Sequence, residues 1–102
     1  MSGMPFSVRF SPEAIAHLDA LRNFDRATIL DSINEHLIAD PLAVTRRKKP
    51  LRSNLIAARE LRTGDFRIYD DVDIDQDALL IRAIGIKFHN RVFIAGEPAD
   101  LS

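Results

Sequence analysis

The chain has 102 residues, of which 46% are apolar and 28% are charged, and its net charge is −1. This length predicts one domain, residues 1–102, that can bury a modest core. The absence of cysteine excludes disulfides, thiolate zinc sites and a cysteine nucleophile. No apolar run approaches the roughly 18 residues of a membrane span, and the first residues lack the pattern of a signal peptide. We therefore expect a soluble, cytoplasmic protein with no membrane partner and no overall attraction to nucleic acid.

The N-terminal part predicts a strand followed by two helices. Residues 6–10 alternate between apolar and polar side chains, which is typical of a strand. Ser11 as N-cap and Pro12 at the first helical position indicate where the first helix begins. Its predicted apolar stripe comprises Ala14, Ile15, Leu18 and Leu21. The second helix is predicted over about residues 26–39, with Asp25 as a candidate cap and a buried face that contains Ile29, Ile33 and Leu37.

Residues 41–53 are predicted to form an irregular loop that is rich in positive charge. Five cations fall within seven residues of this loop: Arg46, Arg47, Lys48, Lys49 and Arg52. Flexible cations of this kind suit the phosphate backbone of a nucleic acid, and long loops in compact domains are often functional. Two alternatives stay open: a solvated basic loop, and a loop that an acidic partner protein neutralises.

The C-terminal half predicts an antiparallel meander of four short strands, at residues 55–62, 66–72, 78–86 and 91–95. Alternation in the second strand places Phe66, Ile68 and Val72 toward the helices. The same alternation places Arg67, Tyr69 and Asp71 on the opposite face. Asp70 falls within the apolar series, which indicates a bulge or a frayed strand end.

Together these elements predict an α+β fold: a small antiparallel β-sheet with two N-terminal helices packed on one face, in the order β-α-α-β-β-β. The other face of the sheet is left to Arg67, Tyr69 and neighbouring cations. Such a face suits RNA binding, and an ordinary solvated sheet face is the alternative.

Three stretches of the C-terminal half resemble the RelE/ParE toxin superfamily of bacterial and archaeal toxin–antitoxin modules. They are residues 61–68 (LRTGDFRI), 83–87 (AIGIK) and 91–93 (RVF), with an acidic hairpin end between the first two. The β-α-α-β-β-β order agrees with the superfamily over nearly the whole chain. The resemblance implies the RelE-like fold and a small toxin that a cognate antitoxin wraps and neutralises.

Within the superfamily, RelE-type members are endoribonucleases (mRNA interferases) that cut messenger RNA on the ribosome and so inhibit translation, whereas ParE-type members poison DNA gyrase. In the RelE-type reaction the 2′-OH of the substrate attacks the adjacent phosphate, which needs a base, an acid and cations but no metal or other cofactor. The resemblance therefore implies three partners: an antitoxin, the ribosome and mRNA. It also implies assembly as a homodimer or as a toxin–antitoxin hetero-oligomer.

The resemblance also assigns site residues. Arg67 matches the superfamily's phosphate-contacting arginine, and Lys87 occupies a position where RelE-type enzymes carry another cation. His89 supplies an imidazole, the group best suited to proton transfer near neutral pH, although an exposed loop histidine is the alternative reading. The predicted catalytic residues are thus Arg67, Lys87 and His89, and no metal ligand is expected. The expected RNA-binding residues are Arg46, Arg47, Lys48, Lys49, Arg62, Arg91 and Phe93.

The chain departs from the ribonucleases of the superfamily at three positions. Phe93 lies where a catalytic tyrosine is often found, and phenylalanine has no hydroxyl. Ala58 and Glu60 stand where the best-studied ribonucleases present two lysines on the strand before Gly64. These departures favour two alternatives: a ParE-like, non-enzymatic gyrase inhibitor, and a catalytically degenerate toxin that only binds its antitoxin.

Overall fold

A computed structural model describes residues 6–38, 45, 47–54 and 56–99 of the chain. Its helices are α1 (Pro12–Asp19) and α2 (Asn23–Ile33), and α2 continues into a π-helical segment (Asn34–Ile38). Its strands are β1 (Ser7–Phe10), β2 (Lys48–Pro50), β3 (Arg59–Thr63), β4 (Phe66–Asp73), β5 (Ala78–Phe88), β6 (Arg91–Ile94) and β7 (Glu97–Pro98).

The strands form one sheet in the order β2-β3-β4-β5-β6-β7, with each neighbouring pair antiparallel. The long strand β5 lies at the centre. β4 occupies one of its edges, and the other edge is shared, with β1 beside the first residues of β5 and β6 beside the last. The β1–β5 pairing is parallel, which the predicted meander did not include. The predicted α+β fold is confirmed.

A bulge in β5 interrupts its pairing with β4. Tyr69 lies opposite Ala83 while the next residue, Asp70, lies opposite Ile81, so Arg82 is an extra residue on β5. An extra residue of this kind shifts the alternation of its strand, so the side chains of β5 that face the helices differ in parity before and after Arg82. Of the two alternatives left open for Asp70, a bulge and a frayed strand end, a bulge is present, but it lies on the partner strand. Asp70 itself stays on the helix-facing side of β4, fully buried.

The main core fills the space between the helices and the sheet. Its buried members are Ala14, Leu18, Ile29, Ile33, Leu37, Leu61, Ile68, Leu79, Ile81 and Ile84. The predicted buried face of α2 is confirmed by this set. The prediction for α1 was wrong at Ile15, which is 49% exposed. Each helical residue rotates by about 100°, so Ile15 lies well off the stripe that Ala14, Leu18 and Leu21 define.

The connection between α1 and α2 is closed by an arginine. α2 begins at Asn23, three residues before the predicted start, and Asp25 lies in its first turn rather than at its cap. The Arg26 guanidinium donates to the carbonyl oxygen of Leu21 at 2.9 Å and also reaches carbonyls at the end of α1. These bonds satisfy backbone oxygens that a helix end leaves without partners. No helix in the described ranges is long and apolar enough to cross a membrane.

A short strand replaces part of the predicted basic loop. β2 pairs with β3 at residues 48–50, so the prediction of an irregular loop was wrong there. Residues 41–44 and 46 of that loop lie outside the described residues.

A second, smaller core lies on the sheet face opposite the helices. Ala57, Tyr69 and Ala83 are buried there, against the partly buried Leu51, Ile56, Val92 and Ile94. The predicted alternation of β4 is correct, but the expected exposure of Tyr69 was wrong, because this side chain is 0% exposed. The segment between β2 and β3 covers this part of the sheet and leaves the rest of the face open as a groove.

Candidate nucleic-acid interface

The groove on the sheet face opposite the helices brings most of the described cations of this face together. Its volume is about 490 Å³, and it is lined by Lys49, Pro50, Leu51, Arg52, Glu60, Arg62, Arg67, Lys87 and Val92. Five of these side chains are cationic and one is acidic. Because neighbouring strands lie about 4.8 Å apart, side chains from β2, β3, β4 and β5 converge on a space that a phosphate group can occupy.

The acidic member, Glu60, lies among the cations. Its Oε1 is 3.3 Å from Nε of Arg62 and 3.8 Å from Nζ of Lys49. Its Oε2 accepts a hydrogen bond from the Tyr69 hydroxyl at 2.9 Å. The strand register explains this convergence, since Glu60 lies directly opposite Lys49 on one neighbouring strand and opposite Tyr69 on the other.

Tyr69 is a hydrogen-bond donor to this carboxylate. Burial raises the pKa of the Tyr69 hydroxyl far above its ordinary value, and the negative charge of Glu60 raises it further, against the lowering effect of Arg67 and Arg62. The hydroxyl therefore stays protonated across the physiological range and always presents a proton to Glu60.

Arg67 is held rigidly at one end of the groove. Its side chain is buried, and its Nη1 donates to the carbonyl oxygens of Gly64 and Phe66, each at 2.8 Å. Both of these bonds use Nη1. Among the described residues, Nε and Nη2 of Arg67 have no hydrogen-bond acceptor, so these two nitrogens are available to an anionic ligand. Arg67 also lies directly opposite Arg62 on β3. Like charges in this arrangement are destabilising, which favours a binding role over a structural one.

Glycine keeps the floor of the groove flat beside Arg67. Gly85 lies opposite Arg67 on β5, and a Cβ atom there would come within 2.9 Å of the Phe93 carbonyl oxygen and of Val92 Cγ1. The absence of a side chain lets β5 and β6 approach closely at this point.

Lys87 contributes the last cation of the groove, from the far end of β5. Its backbone N–H donates to the carbonyl oxygen of Asp65 at 2.7 Å, which ties β5 to the β3–β4 turn. Its side chain is exposed and forms no ion pair with an acid in the described part of the chain.

Four predicted site residues thus meet in the groove: Lys49, Arg62, Arg67 and Lys87. Arg47 lies beside the groove, because its carbonyl oxygen accepts a hydrogen bond from the backbone N–H of Arg62 at 2.7 Å. Its side chain is exposed. Arg46 lies outside the described residues.

Lys48, expected to bind RNA, does not line the groove. Lys48 is 1% exposed and lies on the helix-facing side of β2, opposite Leu61. Its Nζ donates to the carbonyl oxygen of His36 at 2.8 Å. His36 belongs to the π-helical segment, so Lys48 satisfies a helix-end carbonyl instead of facing solvent.

Phe93 and Arg91 also lie away from the groove. The alternation of β6 places Val92 toward the groove and its two neighbours toward the opposite side. Phe93 lines a separate apolar pocket with the α1 residues Ala16 and His17. Neither the expected RNA contact of Phe93 nor that of Arg91 is supported by this placement, and Phe93 does not occupy a catalytic position in the groove.

His89 lies in the tight turn between β5 and β6 and does not line the groove. It is exposed, adopts a left-handed backbone conformation with φ of 50° and packs edge-on against the Phe88 ring. It follows the groove residue Lys87 by two positions and lies just past the end of β5.

Two groove residues were missed as functional candidates. Arg52 belongs to the predicted basic loop but was not assigned to a site, and Glu60 was noted only as a departure from a lysine pattern. The alternation of β3 contains the signal, since Glu60 and Arg62 are two residues apart and share a face.

The fold and the groove define a class of protein: a small α+β domain with two N-terminal helices on one sheet face and a cation-lined groove on the other. No protein-family model and no curated protein matches the chain. A chain of the toxin–antitoxin complex RelBE2 from Mycobacterium tuberculosis is 26% identical, with a TM-score of 0.70 and coverage of 82% of this chain and 100% of that one. A chain of the archaeal RelE–RelB complex from Pyrococcus horikoshii is 16% identical, with a TM-score of 0.67 and coverage of 84% and 99%.

These matches confirm the predicted resemblance. The chain has the RelE-like fold, and its similarity to a RelBE toxin–antitoxin chain supports its resemblance to the RelE/ParE toxin superfamily. The second match, at its lower identity, shows the fold alone.

Proposed function

We propose that this protein is the toxin of a toxin–antitoxin pair and that it cleaves ribosome-bound mRNA in the groove, without a metal ion. The observation that carries the proposal is the Glu60 carboxylate, placed within 4 Å of two cations in a groove that three more cations line. Cations stabilise the charge that develops on a phosphate in the transition state. A carboxylate among them supplies the base that a purely cationic groove would lack.

The proposed reaction is an internal transfer within the RNA. Oε1 of Glu60 takes the proton of a ribose 2′-OH, whose oxygen forms a bond to the adjacent phosphorus as the bond from phosphorus to the 5′-oxygen breaks. Arg67 and Lys87 contact the phosphate oxygens, and Arg62 and Lys49 hold the neighbouring backbone. The products are a 2′,3′-cyclic phosphate and a free 5′-OH.

The 5′-oxygen needs a proton as it leaves, and His89 stays our proposed donor. An imidazole can donate a proton near neutral pH, and His89 follows the groove residue Lys87 by two positions. Compared with the prediction from sequence, the base is now Glu60 and His89 is limited to the role of acid.

An antitoxin is the proposed protein partner. Both structural neighbours were solved as toxin–antitoxin complexes. An antitoxin that covers the groove or its rim would block access of RNA to Glu60 and Arg67, and the ribosome would deliver the substrate when the antitoxin is absent.

The test is primer extension on a defined mRNA in a translation extract, with and without ribosomes, after adding purified protein. We expect cuts that depend on ribosomes and leave 5′-OH ends. Glu60→Gln should lower the cleavage rate by at least about 100-fold, as loss of a general base does. The same variant should bind an uncleavable 2′-O-methyl RNA at least as tightly as the wild type, because it removes a negative charge from the groove.

Matched controls separate these roles from loss of charge alone. Glu35→Gln removes an exposed carboxylate on the helix side, and Arg22→Ala removes an exposed guanidinium between the helices. Both should cleave like the wild type, whereas Arg67→Ala should lose roughly 100-fold or more in rate. Equal cleavage by Glu60→Gln and the wild type would refute Glu60 as the base.

A non-enzymatic gyrase inhibitor is the second candidate. The observation that favours it is the exposed apolar surface at the β5–β6 hairpin, where Ile86 is 45% and Phe88 is 62% exposed, because exposed apolar side chains mark protein-binding surfaces. This candidate predicts inhibition of DNA supercoiling by the purified protein, with no change in RNA. Intact supercoiling activity would exclude it.

A further inference from the structure

The Tyr69 hydroxyl divides the Glu60 carboxylate into two unlike oxygens. Oε2 accepts the hydrogen bond from Tyr69 within the second core, and Oε1 faces Arg62 and Lys49. A carboxylate that rotated freely would present either oxygen to a ligand. Here one oxygen is tied to a side chain that is 0% exposed, so the other is the one left to the groove.

The surroundings of Tyr69 prevent the hydroxyl from moving elsewhere. Its ring packs between Ala57 and Ala83 in the second core. Its place in the ladder, directly opposite Glu60 on β3 and Ala83 on β5, fixes the direction in which the ring points. The hydroxyl is the only polar group on this buried ring, and Glu60 is its acceptor.

We infer that Tyr69 is a positioning residue: it holds the Glu60 carboxylate with Oε1 directed into the groove. This inference rests on the proposed function and extends it to a residue that does not touch the substrate. A general base works only when it is aimed at the proton that it removes, and a hydrogen bond from a fixed donor sets the orientation of a carboxylate. Removing the donor leaves Glu60 free to turn.

Tyr69→Phe tests the inference, because it deletes one oxygen atom and keeps the ring that fills the second core. We expect the rate of RNA cleavage to fall by about 10-fold, as for other residues that orient a reacting group. The Michaelis constant for RNA should change little, since Tyr69 does not line the groove.

Thr63→Val is the matched control. Thr63 also has a buried hydroxyl in a side-chain hydrogen bond, to Ser32, but on the helix-facing side of the sheet. This variant should show a loss of melting temperature similar to that of Tyr69→Phe, with the cleavage rate of the wild type. If Tyr69→Phe keeps the cleavage rate of the wild type while Glu60→Gln is inactive, the inference is overturned and Glu60 remains the base.

Tyrosine fluorescence tests the contact without any cleavage. The chain contains one tyrosine and no tryptophan, so its emission reports on Tyr69 alone, and a carboxylate that accepts a hydrogen bond quenches a tyrosine. Glu60→Gln should therefore raise the emission, and Glu35→Gln should not. Unchanged emission in Glu60→Gln overturns the inference. Absence of RNA cleavage by the wild type would overturn the proposed function alone, and the emission would still decide whether Tyr69 holds Glu60.

Discussion

Lys48 and Lys49, adjacent in the chain, lie on opposite faces of the sheet. Nζ of Lys48 is buried against the carbonyl oxygen of His36, whereas Nζ of Lys49 is in the groove, 3.8 Å from Glu60. This difference follows from the alternation of β2, in which Lys48 pairs with the apolar Leu61 and Lys49 with Glu60. Two neighbouring cations of one basic run therefore have different surroundings, one on the helix-facing side of the sheet and one in the groove.

The pair provides a matched test of the interface. Lys49→Met should weaken binding of an uncleavable RNA. The slope of log K against log salt concentration should fall by the equivalent of about one phosphate contact. The melting temperature should not change. Lys48→Met should lower the melting temperature and leave the salt dependence unaltered. Fluorescence anisotropy with labelled RNA over a salt series, together with thermal melts, measures both. Equal effects of the two variants on RNA binding would contradict the assignment of faces.

The buried ion pair between Arg59 and Asp70 makes a second prediction. Asp70 is fully buried and its carboxylate accepts a hydrogen bond from Arg59, whose side chain is 14% exposed. Burial raises the pKa of Asp70, and the hydrogen bond and charge of Arg59 oppose that rise. Removing one partner leaves the other charge in the core. Asp70→Asn should therefore lower the free energy of unfolding by about 3 kcal/mol or more.

A double variant distinguishes the pair from its members. Arg59→Met with Asp70→Leu replaces both charges by apolar side chains of similar size, which is often neutral or stabilising at buried ion pairs. Urea unfolding of the two single variants and the double variant gives the coupling energy. A double variant that is less stable than both single variants would show that the two charges also stabilise the fold through contacts outside the pair.

The sequence predicted those features that depend on local pattern. The Ser11 cap is confirmed, since its Oγ accepts from the N–H of Ala14 at 3.1 Å, and the alternation of Phe66, Ile68 and Tyr69 assigned the faces of β4 correctly. Such features follow from neighbouring residues alone. The exposure of Tyr69 was not predicted correctly, because it depends on which segment covers the second face.

The groove itself depends on contacts between distant strands. Glu60 meets its cation Lys49 through the β2–β3 register, and the burial of Lys48 depends on a carbonyl in another element, that of His36. The bulge at Arg82 decides which β5 side chains reach each face. A one-residue change of register moves a side chain to the other face of a sheet. Composition does not contain the register, so it predicted a single basic loop for residues 46–49 and did not separate Lys48 from Lys49.

Gly85 makes a prediction about the floor of the groove. Gly85→Ala places a Cβ within 2.9 Å of the Phe93 carbonyl oxygen and of Val92 Cγ1. We expect the free energy of unfolding to fall by roughly 1–3 kcal/mol, as for other overpacked sites. Adding Val92→Ala should restore only part of this loss, because the contact with the backbone carbonyl remains. Chemical denaturation of the single and double variants measures the difference, and full recovery would show that β5 and β6 can separate at this point.

His17 makes the stability of the fold depend on pH. Its Nδ1 accepts a hydrogen bond from the backbone N–H of Ile84 at 3.1 Å, which joins α1 to β5. Burial lowers the pKa of His17 below its ordinary value of 6.5, although the charge of Glu13 acts in the opposite direction. Because the folded state disfavours the protonated imidazole, the unfolded chain binds more protons here. The contribution of His17 to folding is therefore complete above pH 6.5 and is lost as the pH falls through 6.5 toward the lowered value of the folded state.

His17→Asn isolates this effect, because an asparagine side chain offers an acceptor near the position of Nδ1 but does not titrate. The free energy of unfolding of the variant should depend less on pH than that of the wild type between about pH 7 and pH 5. Urea unfolding at a series of pH values gives the two slopes. Equal slopes would mean that protonation of His17 is not linked to folding.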